Sequence, residues 1–109
     1  VAIVAVSISP LGEGTSVSRY VAEALRVLRA QDRVSWRLDP MFTTLDGDLD
    51  EIMALVRRMQ EAVFDAGAVR VTTLIKIDDR RDRAVSMDEK VAAAEAKLTP
   101  STDPSPERS

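Results

Sequence analysis

The chain is predicted to fold as an α+β domain of the ferredoxin-like kind, β-α-β-β-α-β with an extra C-terminal helix. Three observations predict it. Apolar residues alternate with period two in four short segments and recur at helical spacing in three others. These segments follow one another in the split β-α-β order. The 109 residues, 45% of them hydrophobic, suffice for one modest core. Residues 1–98 are assigned to this single domain. Thr99 to Ser109 carries three prolines and no core-forming residue, and is expected to be a disordered tail.

The first strand is expected over Ala2–Ser9, with Val4, Val6 and Ile8 on one side and Ala5, Ser7 and Ser9 on the other. It stops at Pro10-Leu11-Gly12-Glu13-Gly14, a strand-to-helix connector. Free amides at such a junction favour an anion, but neither the phosphate-loop lysine nor the dinucleotide glycine pattern is present. A helix should begin near Thr15-Ser16, either hydroxyl acting as its cap. Val17, Tyr20, Val21, Ala24, Leu25 and Leu28 form its apolar stripe. Two short extended runs follow, Val34–Leu38 and Met41–Leu45, and Pro40 belongs at their junction because it has no amide proton to give a ladder. Asp48 with Glu51 marks the start of a second helix, whose stripe is Leu49, Ile52, Val56, Met59, Val63 and Ala66, with Gly67 beyond its end. Val69–Ile77 is the fourth strand: Val71, Thr73, Ile75 and Ile77 share one side, Thr72, Leu74, Lys76 and Asp78 the other. A third helix starts at Ser86 with Glu89 completing a capping box, and Met87, Val91, Ala94 and Leu98 give it a narrow stripe.

Two helices cover one face of a four-stranded sheet. The other face, with Ala5, Ser7, Leu74 and Lys76, is left bare, and a second copy of the chain is the simple way to cover it. A homodimer through the sheet, or a homotetramer, is therefore expected.

Composition narrows the chemistry. Cysteine and histidine are both absent, which removes disulfides, thiolate nucleophiles, Cys/His zinc sites and imidazole proton shuttles. Acid–base work would fall to carboxylates, lysine or Tyr20. A net charge of −3 with both signs interspersed, and four aromatic residues in all, argues against a nucleic-acid interface. No apolar run approaches a membrane span, and Val1–Val6, lacking a basic flank, reads as strand and not signal peptide. The expected location is the cytoplasm. Asp78, Asp79 and Asp82 alternate with Arg80, Arg81 and Arg83, a pattern of salt-bridged surface or subunit contact more than of a cation site. Lys76 within a strand either binds an anion, acts as a base, or pairs across an interface. Ser7, Thr43, Thr44, Thr72 and Thr73, with Met41 and Phe42 nearby, have the make-up of a small-molecule pocket, although threonine is also an ordinary strand residue.

Three stretches carry a resemblance: Ser9 to Ala22, Pro40 to Met53, and Arg70 to Asp82, the last with the string Lys76-Ile77-Asp78-Asp79-Arg80-Arg81-Asp82. The chain resembles the thiamine-binding protein superfamily from residue 2 to about 98. The resemblance implies a ferredoxin-like domain that dimerises through its sheets and often forms tetramers. It also implies a ligand, thiamine or its hydroxymethylpyrimidine part, with no catalysis and no cofactor. By motif position and ligand chemistry, Ser7, Thr43 and Thr44 would serve the aminopyrimidine, Met41 and Phe42 would sandwich the ring, and Asp46 or Asp78 would offset the thiazolium charge. Lys76 is carried as a further ligand candidate. Two positions depart from the pattern: Gln60 where many relatives have His, and Asp46 where many have Glu. An assembly or regulatory module without such a ligand is the alternative, and an enzyme using Lys76 with Asp46 or Asp78 is a third reading.

Overall fold

The computed structural model describes residues 1–14 and 17–98. Its elements are β1 (Ala2–Pro10), α1 (Ser18–Arg29), β2 (Ser35–Leu38), β3 (Thr43–Gly47), α2 (Leu49–Asp65), β4 (Val71–Asp79) and α3 (Met87–Leu98). The four strands form one antiparallel sheet in the order β2-β3-β1-β4. That is the ferredoxin-like arrangement the sequence predicts. The expected tail, and the expected capping residues Thr15 and Ser16, lie outside the described residues. The N-cap of α1 is Val17, which supplies no side-chain hydrogen bond.

Register assigns every side chain to a face. Val4 lies opposite Leu45 and Ile77, and Val6 opposite Thr43 and Ile75. Of these, Val4, Val6 and Leu45 are buried and with Tyr20, Leu28, Ile52, Val56, Met59 and Val63 make the core under α1 and α2, Ile75 packs at its margin, and Ile77 is exposed at the sheet edge. Ala5 lies opposite Thr44 and Lys76, Ile3 opposite Asp46 and Asp78, and Ser7 opposite Leu74. These face away from the two helices.

α2 has well-formed ends. The Asp48 carboxylate accepts the Glu51 N–H at 3.0 Å. Gly67 (φ +115°) lets the chain leave through a paired closure, its N–H donating to Phe64 C=O and the Ala68 N–H to Val63 C=O. Arg19 adds a third bond there, donating to Ala66 C=O at 2.8 Å while its guanidinium lies over the Tyr20 ring.

Two expectations need correction. Met41 and Phe42 are not strand residues: the Asp39 N–H donates to Phe42 C=O at 2.9 Å, closing a turn, so β3 starts only at Thr43. The second face of the sheet is not wholly bare, because α3 lies across its Ile3, Asp46 and Asp78 end. α3 buries none of its residues, so its apolar stripe is not what holds it. Polar ties do. The Met87 N–H donates to the Asp46 carboxylate at 2.7 Å, Lys90 pairs with Asp78, and Arg37 Nη1 lies 3.7 Å from Asp88.

Candidate ligand-binding site

β1 is longer than β3, and the difference makes a notch. Pairing between them ends at Val6 and Thr43, whereas β1 continues to Pro10 beside β4. The Leu11 N–H donates to Arg70 C=O at 2.8 Å, which fixes the alternation: odd-numbered residues of β1 exchange hydrogen bonds with β4, even-numbered ones point towards β3. Ile8 is even-numbered and lies beyond the end of β3. Its N–H and C=O thus face a gap with no strand to meet them. Pro10, next on the same side, has no N–H to offer.

The gap is a cavity of about 210 Å³, walled by β1, by the Leu38–Phe42 turn and by Val21, Ala24 and Leu25 of α1. Met59 of α2 closes it from below. Thr43 lines it and is only 8% exposed, the one buried polar residue among those described. No hydrogen bond to its hydroxyl exists among the described residues. The hydroxyl is not itself a buried atom, since the buried side-chain atom left without a partner among the described residues is Arg37 Nε; the Thr43 oxygen is thus accessible for a hydrogen bond from within the cavity. Phe42 is half-buried at the wall and Met41 stands 79% exposed at the mouth. Ser7 borders the cavity through its backbone, since its side chain alternates to the other face.

Of the eight residues singled out from sequence, four therefore meet here: Ser7, Met41, Phe42 and Thr43. The other four do not. Thr44, Lys76 and Asp78 line a separate hollow of about 430 Å³ on the far face of the sheet, beneath Lys90 of α3. Asp46 lines neither, its carboxylate being engaged by the Met87 N–H. Asp78 is likewise taken by Lys90, whose hydrogen bond and positive charge hold the Asp78 carboxyl below its ordinary value. Lys76 makes no hydrogen bond or ion pair among the described residues.

Asp39 lines the notch from the turn, but its carboxylate is turned to the Thr44 and Arg37 side chains. Thr44 Oγ1 donates to its Oδ2 at 3.2 Å, and Arg37 Nε lies 3.5 Å from its Oδ1. That N–H is buried and makes no proper hydrogen bond, so the Arg37–Asp39 contact is electrostatic and loose.

Asp79 and Asp82, the other acidic residues of the 78–83 segment, form ion pairs as the mixed signs there suggest. Asp82 is held down to about 2 by the Arg80 hydrogen bond, and Arg80 is raised by the same contact. Asp79 pairs with Arg81 at 3.0 Å. Gln60, one of the two departures from the family pattern, donates to Thr73 Oγ1 at 2.8 Å and so ties α2 to β4 at the residue opposite Ile8. Among the described residues no helix is long and apolar enough to cross a membrane.

Relatives share this architecture. A family model described as thiamine-binding protein matches residues 4–95. The UPF0045 protein of Staphylococcus xylosus is 45% identical over 101 residues, covering 89% of this chain and 94% of its own. The UPF0045 protein of Bacillus subtilis is 38% identical, covering 91% and 99%. A solved structure of a hypothetical protein from Methanocaldococcus jannaschii superposes with a TM-score of 0.80 at 36% identity, covering 86% of this chain and 95% of that one. A Thermotoga maritima structure shares the fold at 20% identity, TM-score 0.72, covering 85% and 97%. The chain belongs to the thiamine-binding protein family.

Proposed function

We propose that the protein is a non-catalytic binding protein for thiamine or its hydroxymethylpyrimidine part, and that the notch beyond β3 is the site. The observation that carries the reading is the coincidence, on one cavity, of an accessible Thr43 hydroxyl with the Ile8 N–H and C=O, none of which has a hydrogen-bond partner among the described residues. An aminopyrimidine edge offers a ring-nitrogen acceptor beside an amino donor, which complements a backbone N–H beside a C=O. The ring would complete the sheet where β3 stops short. At about 210 Å³ the cavity is below the range usual for drug-sized ligands and suits one ring, not two. A thiazolium would then sit at the mouth, against Met41 and within the field of Asp39.

The family's name supports the ligand class, and the chemistry of the notch supports the pyrimidine. The exposed half of the sheet, with Leu74 beside Ser7, is the face we assign to a second copy in a dimer or tetramer. A cytoplasmic location fits the lack of cysteine.

Thermal unfolding with thiamine, thiamine phosphates and hydroxymethylpyrimidine tests the reading. A one-site ligand at a hundred times its Kd adds about 2.7 kcal/mol of stability, a readily measured rise in Tm. No rise with any of these compounds at millimolar concentration would refute the assignment and favour a module that only assembles.

A further inference from the structure

A second cavity, of about 270 Å³, lies beneath α3. It sits at the Ile3 and Asp78 end of the far sheet face, bounded by the connector from β4 and by the Glu89, Lys90 and Ala93 side of α3. α3 lies across the sheet yet buries none of its residues. The cavity accounts for this: where a helix meets a sheet directly the side chains interlock at high density, and here the space between them is open. Its floor is apolar, from Ile3, Val85 and Ala93. A cavity of about 150 Å³ already takes a benzene ring, so this one has room for an apolar side chain with polar groups attached.

Five charged side chains also line it: Asp78, Arg80, Arg83, Glu89 and Lys90. Three are committed. Lys90 pairs with Asp78, and Arg80 donates two hydrogen bonds to Asp82. Arg83 and Glu89 remain. The Glu89 N–H donates to Ser86 Oγ, but its carboxylate and the Arg83 guanidinium make no hydrogen bond or ion pair among the described residues, with each other included. One cation and one anion thus share an apolar-floored cavity without meeting. A ligand of single charge satisfies one of them and opposes the other; a ligand that carries both charges satisfies both.

We infer that the cavity beneath α3 is a second binding site, for an α-amino acid with an apolar side chain. The planar Arg83 guanidinium takes the carboxylate, Glu89 takes the ammonium, and Ile3, Val85 and Ala93 receive the side chain. The site is on the opposite face of the sheet from the notch and does not depend on what the notch holds. An occupant gives α3 the apolar contact that it lacks and fastens it to the sheet.

Titration calorimetry of the full chain with leucine and with phenylalanine tests this. Glycine, 4-methylpentanoate and 3-methylbutylamine are the controls, lacking in turn the side chain, the ammonium and the carboxylate of leucine. At least one of the two amino acids should bind, with every control about tenfold weaker or worse, the scale of losing a charged hydrogen bond or a buried aliphatic group. Arg83→Gln and Glu89→Gln should each weaken binding by a similar factor and leave the ligand-free melting curve unchanged, since both side chains are exposed and unpartnered. The bound amino acid should slow amide hydrogen exchange in α3 and not in α1, which walls the notch. No binding by either amino acid overturns the inference. So does a control that binds as tightly as the amino acid, an affinity indifferent to both substitutions, or slowed exchange in α1 in place of α3. Failure of thiamine-type ligands to bind would refute the notch assignment and leave this outcome unaffected.

Discussion

Thr43 and Thr44 are consecutive, and strand alternation sends them to opposite faces of the sheet. That rule alone meant that a single pocket could not hold all eight residues singled out from sequence. Thr43 goes with Val6 towards the helices and the notch; Thr44 goes with Ala5 and Lys76 to the far face. Replacing Thr43 by Val keeps the volume and removes the hydroxyl. The folded state, in which that hydroxyl has no partner among the described residues, should be unharmed, and ligand affinity should fall about tenfold, the worth of one hydrogen bond near 1.4 kcal/mol. Calorimetric titration beside a melting curve checks both halves. A fall in Tm without a fall in affinity would remove Thr43 from the site. Met41, Phe42 and Thr43 could be grouped from sequence because they are neighbours at the β2–β3 junction, and Ser7 meets the same cavity from β1. Asp39 was not legible, because its role depends on Thr44 and Arg37 reaching it across a turn. Asp46 and Asp78 looked like free carboxylates only because nothing in the apolar periodicity says where α3 will lie.

Among elements, α2 was the most readable. Its cap, its stripe and its terminating glycine are all local features, and each has its expected place. The reciprocal half of the capping box is not made, since Glu51 is drawn to Arg33 instead. Gly67→Ala should cost about 1 kcal/mol, because a Cβ resists φ +115° although nothing crowds the position. Urea unfolding would register it, and an unchanged midpoint would show that the closure is not strained by a side chain. The β3 boundary was misread because Met41 and Phe42 have strand-like character, while the Asp39–Phe42 turn hydrogen bond takes precedence over it. α3 teaches the opposite lesson: its capping serine was legible, the Glu89 N–H donating to Ser86 Oγ, but its stripe meets no core. Its pH response follows from Asp78. A carboxyl lowered in the folded state stabilises fully above the ordinary value of 3.8, and that contribution is lost as pH falls through the lower folded value. Amide exchange in α3 should thus accelerate in acid below pH 3.8, ahead of exchange in β1 and α2. Simultaneous loss of all three would tie α3 to the core after all.

At the scale of the whole molecule, the sheet has two unlike halves on its far face. α3 occupies the Asp46 and Asp78 end; the Ser7 and Leu74 end is open, with Leu74 62% exposed. Leu74→Asp should leave the monomer fold intact and abolish self-association, which sedimentation of the variant and the parent would show. An unchanged assembly would place the contact elsewhere. The order of elements predicted this architecture because split β-α-β topology is written in local periodicity, whereas the division of the far face is a tertiary matter. The notch has a further consequence for what can enter it. An interrupted strand edge is ordinarily an invitation to foreign peptides, which add on by exchanging hydrogen bonds at every second residue. Here the run of usable groups is a single residue long: Ile8 supplies one donor and one acceptor, Pro10 supplies no donor, and Pro40 in the opposite wall carries none either. A polypeptide has nowhere to continue, so the gap excludes stray chains and aggregation-prone segments by arithmetic of backbone amides, and admits only a molecule small enough to be satisfied by one pair.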